Sequence, residues 1–167
     1  MSAGHYHLAL YNIARMCAPL DSTELADFVA LLDPINQLAD ESPGFVWRLQ
    51  TEDGTSASIR PYDDDMILIN LSTWETVEAL REYTYRSAHG ASMRRRREWF
   101  ERHTEPYLVL WWVPAGHTPT VQEGRERLDY LITNGESAHA FMFRRPFPPP
   151  KMDMVGHNHK GIEQHVR

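Results

Sequence analysis

From His7 to Met16 the chain runs HLALYNIARM, with apolar side chains on both parities. Such a run predicts a strand covered on both faces. Pro19 and Asp21 end it, and Asp21 with Glu24 supplies the side chains of a capping box at a helix start. Leu25, Phe28, Val29, Leu32, Ile35, Leu38 and Ala39 then recur at helical spacing, the stripe of an amphipathic helix. Pro34 inside that stripe predicts a kink or a split. Ser42-Pro43-Gly44 is a turn, Phe45 to Gln50 a second strand, and Thr51 to Gly54 another turn. Ser58 to Arg60 reads as a brief extension of the sheet, Asp63 to Asp65 as an acidic bend, and Met66 to Leu71 as a third strand. Glu75 to about His103 is predicted helical, broken near His89-Gly90 because glycine is a poor interior residue. Pro106 to Pro114 holds the fourth strand, YLVLWWV. Thr120 with Glu123 offers a second capping box, and the helix from Val121 to Ile132 turns Val121, Leu128, Leu131 and Ile132 inward before Asn134-Gly135 stops it. Phe141 to Phe147 is a short extended piece, and Pro148-Pro149-Pro150 cannot pair in a sheet.

The order is β-α-β-β-α-β plus a C-terminal helix, which predicts an α+β fold of ferredoxin-like, split βαβ type. One domain over residues 1–150 is expected, with a flexible polar tail over 151–167. The first, third and fourth strands are apolar on both parities, as in Ile67, Ile69 and Leu71 against Met66 and Leu68. An open sheet with helices on one face shows polar residues on the other, so both faces of this one must be covered. A second copy of the chain is the simplest cover, which predicts a homodimer. The alternative is that the C-terminal helix covers the second face.

Composition narrows the field. The formal net charge of −6 leaves no basic footprint for nucleic acid. The lone Cys17 cannot form an internal disulfide, as expected in a reducing compartment. The N-terminus lacks the basic start and apolar stretch of a signal peptide, and no run approaches the ~20 apolar residues of a membrane span. A cytoplasmic protein with no membrane partner is expected.

Several residues carry candidate chemistry. Asn12 is a polar side chain in an apolar strand; it either bonds to backbone in the core or serves a ligand, since an unpaired buried amide costs about 1–3 kcal/mol. His89, at the helix break, can act as base, donor or ligand near neutral pH, or simply cap the broken helix. Tyr83, Tyr85, Trp47, Trp99, Trp111 and Trp112 make the chain rich in amphipathic aromatics, suited to a planar substrate and equally to core and interface packing. Trp111 and Trp112 must point to opposite sides of their strand, one toward the helices and one toward a partner or pocket. Arg48 and Asn70 lie on neighbouring elements and can meet a carboxylate or enolate; Arg48 can equally be a solvated edge residue. Arg94 to Arg97 fan around a helix as a solvated face, paired with Asp63 to Asp65 or nearby glutamates. One of them, taken as Arg96, can turn inward as a two-pronged anion clamp. His5 and His7 share a strand face at a spacing compatible with metal chelation, but no third ligand is identifiable, so no metal is predicted. No phosphate-binding glycine loop and no GxSxG elbow is present, and Cys17 has no evident activating partner.

The stretches Asn70-Leu-Ser-Thr-Trp-Glu75, Tyr85-Arg-Ser-Ala-His89, Arg94-Arg-Arg-Arg-Glu-Trp-Phe100, Tyr107-Leu-Val-Leu-Trp-Trp-Val-Pro-Ala-Gly-His-Thr-Pro119 and Phe143-Arg-Arg-Pro-Phe147 resemble the domain-of-unknown-function family 3291 over about residues 5–150. That family is similar to the dimeric α+β barrels, which include antibiotic-biosynthesis-type and heme-degrading monooxygenases. The resemblance implies a pocket between sheet and helices in each monomer, and two sheets closing a barrel across the dimer. It also implies a ligand-facing place for Asn12 and, in the heme-degrading relatives, an axial role for a histidine placed like His89. The interval from Trp74 to His89 is about a turn shorter than theirs, and Glu82 and Tyr83 stand near their helix tryptophan, so no cofactor is predicted and heme is a further alternative. The resulting expectation is a monooxygenase-like or isomerase-like enzyme acting on an aromatic or polycyclic metabolite, with His89 as base, Asn12 steadying the anion, and Tyr83, Tyr85, Trp47, Trp111, Arg48, Asn70 and Arg96 around the substrate. A non-catalytic ligand-binding or regulatory dimer is the alternative.

Overall fold

The computed structural model describes residues 5–86 and 94–151. Along the chain come β1 (Tyr6–Arg15), a 3-10 turn (Thr23–Leu25), α1 (Ala26–Glu41), β2 (Phe45–Arg48), β3 (Ile67–Trp74), α2 (Val77–Arg86), α3 (Arg96–Trp99), β4 (Leu108–Pro114) and α4 (Val121–Asn134). The strands form one four-stranded sheet in the order β2-β3-β1-β4, and every neighbouring pair is antiparallel. The longest apolar run, β1, lies inside the sheet, where both its edges are bonded and both its faces can be buried.

The two faces have different covers. Ala9, Tyr11 and Ile13 of β1 share a face with Ile69 and Leu71 of β3 and Val109, Trp111 and Val113 of β4. Leu128 and Leu131 of α4, with Leu49, Ile59 and Tyr62 of the β2–β3 connection, pack onto this side. The opposite parity, Leu8, Leu10 and Ala14 with Leu68 and Trp74, meets Leu25, Ala39, Leu80 and Trp99 from the helical segments before and after the central strands. The apolar character of both parities is thus satisfied within one chain. On the second face the cover is α4, the alternative that the sequence left open, and it leaves Tyr11, Val109 and Trp111 fully buried.

Several local expectations are corrected. The capping box at Asp21 and Glu24 does not form: Ser22 precedes a 3-10 turn without a side-chain cap. Pro34 does not divide α1, which is continuous over Ala26–Glu41 with the proline exposed on its solvent side. Ser58 to Arg60 adds nothing to the sheet. The helix expected to reach His103 ends at Trp99, because Phe100 turns extended (φ −126°, ψ 146°) and bridges to Met16. Ile132 of α4 is exposed rather than inward. The second capping box does form, with the Glu123 amide donating to Thr120 Oγ1 at 3.1 Å. The break expected at His89-Gly90 and the tail beyond Lys151 lie outside the described residues. Among the described residues no helix is long and apolar enough to cross a membrane.

Candidate functional site

The face that meets α1, α2 and α3 is not filled by their side chains. A cavity of about 420 Å³ lies between them and the sheet. Its position follows from the register. Asn12 stands directly opposite Asn70, and Ser72 faces Leu10 on one side and Arg48 on the other. Small or polar side chains therefore sit where α1 and α2 span the sheet, and Ala14 and Ala39 add further room. Phe28, Ile35, Leu80, Trp74, Trp99 and Phe100 supply apolar walls, with Tyr83 and Tyr107 between them. The result is a largely apolar chamber with a few polar groups, the usual make-up of a small-molecule site.

Those polar groups differ in how they are engaged. The Asn12 amide makes no hydrogen bond to any described residue, and its cross-strand neighbour Asn70 accepts only from Ser56 Oγ at 3.3 Å. Arg48 is held: it donates to both Asp40 carboxylate oxygens at 2.7 and 3.2 Å and to the Gly54 carbonyl at 2.6 Å. Tyr83 stacks on Trp74 with ring centroids 5.1 Å apart and donates to the Ile35 carbonyl at 3.3 Å; burial pushes its hydroxyl up to about 12. Arg96 lies with its guanidinium carbon 4.7 Å from the Tyr107 ring centre and 5.4 Å from that of Phe100. Its Nη2 is enclosed and has no hydrogen-bond partner among the described residues. Burial holds the Arg96 guanidinium below the usual arginine range. Arg95, one residue earlier, is instead exposed to Glu98 at 2.6 Å and Asp27 at 3.0 Å.

Of the residues predicted from sequence, the structure brings Asn12, Asn70, Arg48, Arg96, Tyr83 and Tyr85 to the cavity lining. It does not bring Trp47 or Trp111 there. Trp111 is fully buried on the α4 face, and a register shift between Phe45 and Trp47 turns Trp47 to that same side. A bulge of this kind flips the alternation that otherwise places both aromatics together. Trp112 points the other way but donates its Nε1–H to the Phe147 carbonyl at 2.9 Å. His89 lies outside the described residues. His5 and His7 gain no third partner: among the described residues no three side chains gather as metal ligands. The acidic bend does not meet the arginine run, because Asp64 pairs with Arg15 at 2.7 Å. Sequence reasoning missed Ser72, Tyr107 and Arg144 as lining residues. Ser72 was recoverable, since it shares a strand parity with Asn70. Tyr107 and Arg144 precede and follow regular elements, where no periodicity fixes direction.

Among the described lining residues there is no aspartate, glutamate, histidine or cysteine. Proton transfer to or from a ligand would have to use the tyrosines or a group outside the described residues.

Residues 7–157 match the family described as Domain of unknown function (DUF3291). No curated protein matches the chain. Among solved structures it is similar to the crystal structure of a protein of unknown function from Nitrosomonas europaea, at 13% identity and a TM-score of 0.43, covering 71% of this chain and 97% of that one.

Proposed function

The chain belongs to the DUF3291 family, and from that footing we propose that it binds a small, planar, largely apolar metabolite in the cavity between the sheet and α1 to α3. The observation that carries this reading is the pairing of an unfilled chamber with an unspent amide. A core asparagine kept for packing would bond to its surroundings, whereas Asn12 lines a space of about 420 Å³ and leaves its hydrogen-bonding groups free among the described residues. The sheet order β2-β3-β1-β4 supports a ferredoxin-like reading of the fold, and the cavity lies where the resemblance to monooxygenases of the α+β barrel type implies a ligand.

Cofactor-free, monooxygenase-like turnover is the enzymatic form of the proposal. It requires a ligand that gives up a proton readily, with Asn12 and its neighbours steadying the anion. Heme is the further alternative: an iron needs an axial histidine, cysteine, methionine or tyrosine, and of these types the described lining residues supply Met142, Tyr83, Tyr85 and Tyr107.

The tryptophans test the binding reading. Trp74 and Trp99 line the cavity, whereas Trp47 and Trp111 pack on the α4 side. In indole-resolved NMR, titration with a two-ring aromatic probe is expected to shift the Trp74 and Trp99 signals and leave Trp47 and Trp111 in place. Shifts confined to Trp47 and Trp111, or none at millimolar probe, would defeat the proposal.

A further inference from the structure

We propose that the ligand carries a carboxylate and that Arg96 is its anchor, an inference that rests on the cavity reading above and assigns the chemical class of what enters it. Arg15 pairs with Asp64 and Glu101, Arg48 with Asp40, and Arg95 with Asp27 and Glu98. Carboxylates are not scarce: the chain has 23 acidic residues against 17 basic ones. Yet Arg96, more deeply placed than Arg95, meets no carboxylate among the described residues, and its Nη2 is shut away from water without a partner. A buried charged donor left unmade is costly, more so than a neutral one.

Stacking explains its position but not its unmet need. The guanidinium carbon lies 4.7 Å from the Tyr107 ring centre and 5.4 Å from that of Phe100. Such contacts attract the charge but make no N–H···O bond, so the N–H groups around the guanidinium edge still need acceptors. Those edge groups are the ones that form parallel hydrogen bonds to a carboxylate. The surroundings point the same way. Arg48, Arg96 and Arg144 line the cavity, and no described lining residue is acidic, so the chamber is positive inside a chain of net charge −6. Arg48 is already spent on Asp40, whereas Arg96 and Arg144 meet no carboxylate among the described residues, and of these two Arg96 is the half-buried one and Arg144 is exposed. The aromatic and aliphatic walls then take the planar body, and the Asn12 amide reads a polar group on it.

The test compares 2-naphthoate with 2-naphthamide, which share a ring system and differ in charge, by calorimetry and by the indole signals of Trp74 and Trp99. Wild-type protein is expected to bind both, the naphthoate roughly tenfold tighter or more, as a charge-assisted pair against a neutral one. Arg96→Gln should weaken the naphthoate by at least about tenfold and the amide far less, so that the preference for the naphthoate disappears. Arg96→Lys, which keeps the charge but not the fork, should fall between, and it keeps the test open if the glutamine variant does not fold. Equal affinities for the two probes in wild type, or a naphthoate preference that survives Arg96→Gln, would overturn the anchor while leaving the cavity reading intact. If neither probe binds, both fall together.

Discussion

A Cβ placed on Gly124 would lie 2.6 Å from the Tyr11 ring, so the absence of a side chain at this one residue sets how closely α4 approaches the sheet. Tyr11 cannot yield: it is fully buried, and its hydroxyl pairs with that of Tyr62 at 2.7 Å. Gly124→Ala is therefore expected to destabilise the protein by about 1–3 kcal/mol through overpacking, despite the better helix propensity of alanine. Chemical denaturation measures this, and a neutral or stabilising outcome would mean that α4 sits further out. At this scale the sequence was legible where a residue type clashed with its pattern. Asn12 in an apolar strand and an arginine run too long for one helix face both led to the cavity. It was illegible at Trp47, because a one-residue bulge at Val46 reverses which face an aromatic takes and leaves no mark in composition. The absent partner of Arg96 was illegible too, since pairing depends on where distant carboxylates fall in space.

Among the elements, α4 was the clearest from sequence: its start, its stop and its inward leucines all follow from local chemistry. Thr120 accepts from the Glu123 amide, and Gly135 closes the helix at φ 76° with its N–H on the Leu131 carbonyl. Thr120→Ala should cost about 1 kcal/mol, with Thr120→Ser close to wild type; equal losses in the two variants would show that the hydroxyl is not what holds the cap. The segment after α2 was harder. Helical propensity runs on through Arg94 to Phe100, but the Phe100 backbone is drawn out to bridge Met16, a contact 84 residues away in sequence that no local window contains. Pro34 erred in the other direction. The loss of one helical bond was tolerated because α1 is held by its packed face, with Leu25 just before it and Ala39 within it buried.

Taken whole, the chain satisfies from its own length the need for cover on both sides of the sheet. The homodimer expectation treated α4 as the lesser possibility, because periodicity shows that a face must be covered but not by what. The molecule also carries a pH response. Burial, and then the neighbouring charge of Arg96, hold His103 below its ordinary 6.5; burial and then Arg127 do the same for His139. A histidine kept neutral by the fold takes up its proton later than the unfolded chain does. Stability is thus intact above about pH 6.5 and lost as the medium acidifies through that value. Asp64, held low by Arg15, adds a second loss only nearer the carboxylate range. The melting temperature is expected to fall between about pH 7.5 and 5.5, and to fall less in His103→Gln. A flat profile for the wild type across that interval would contradict this.

The alternation along β1 has a consequence for how such proteins diversify. Ala9, Tyr11 and Ile13 belong to the packing beneath α4, while Leu10, Asn12 and Ala14, interleaved with them, look into the chamber. One strand therefore carries two independent texts, one written for the scaffold and one for the guest. If the chamber binds a ligand as proposed, substitutions in the second should alter that binding without disturbing the first.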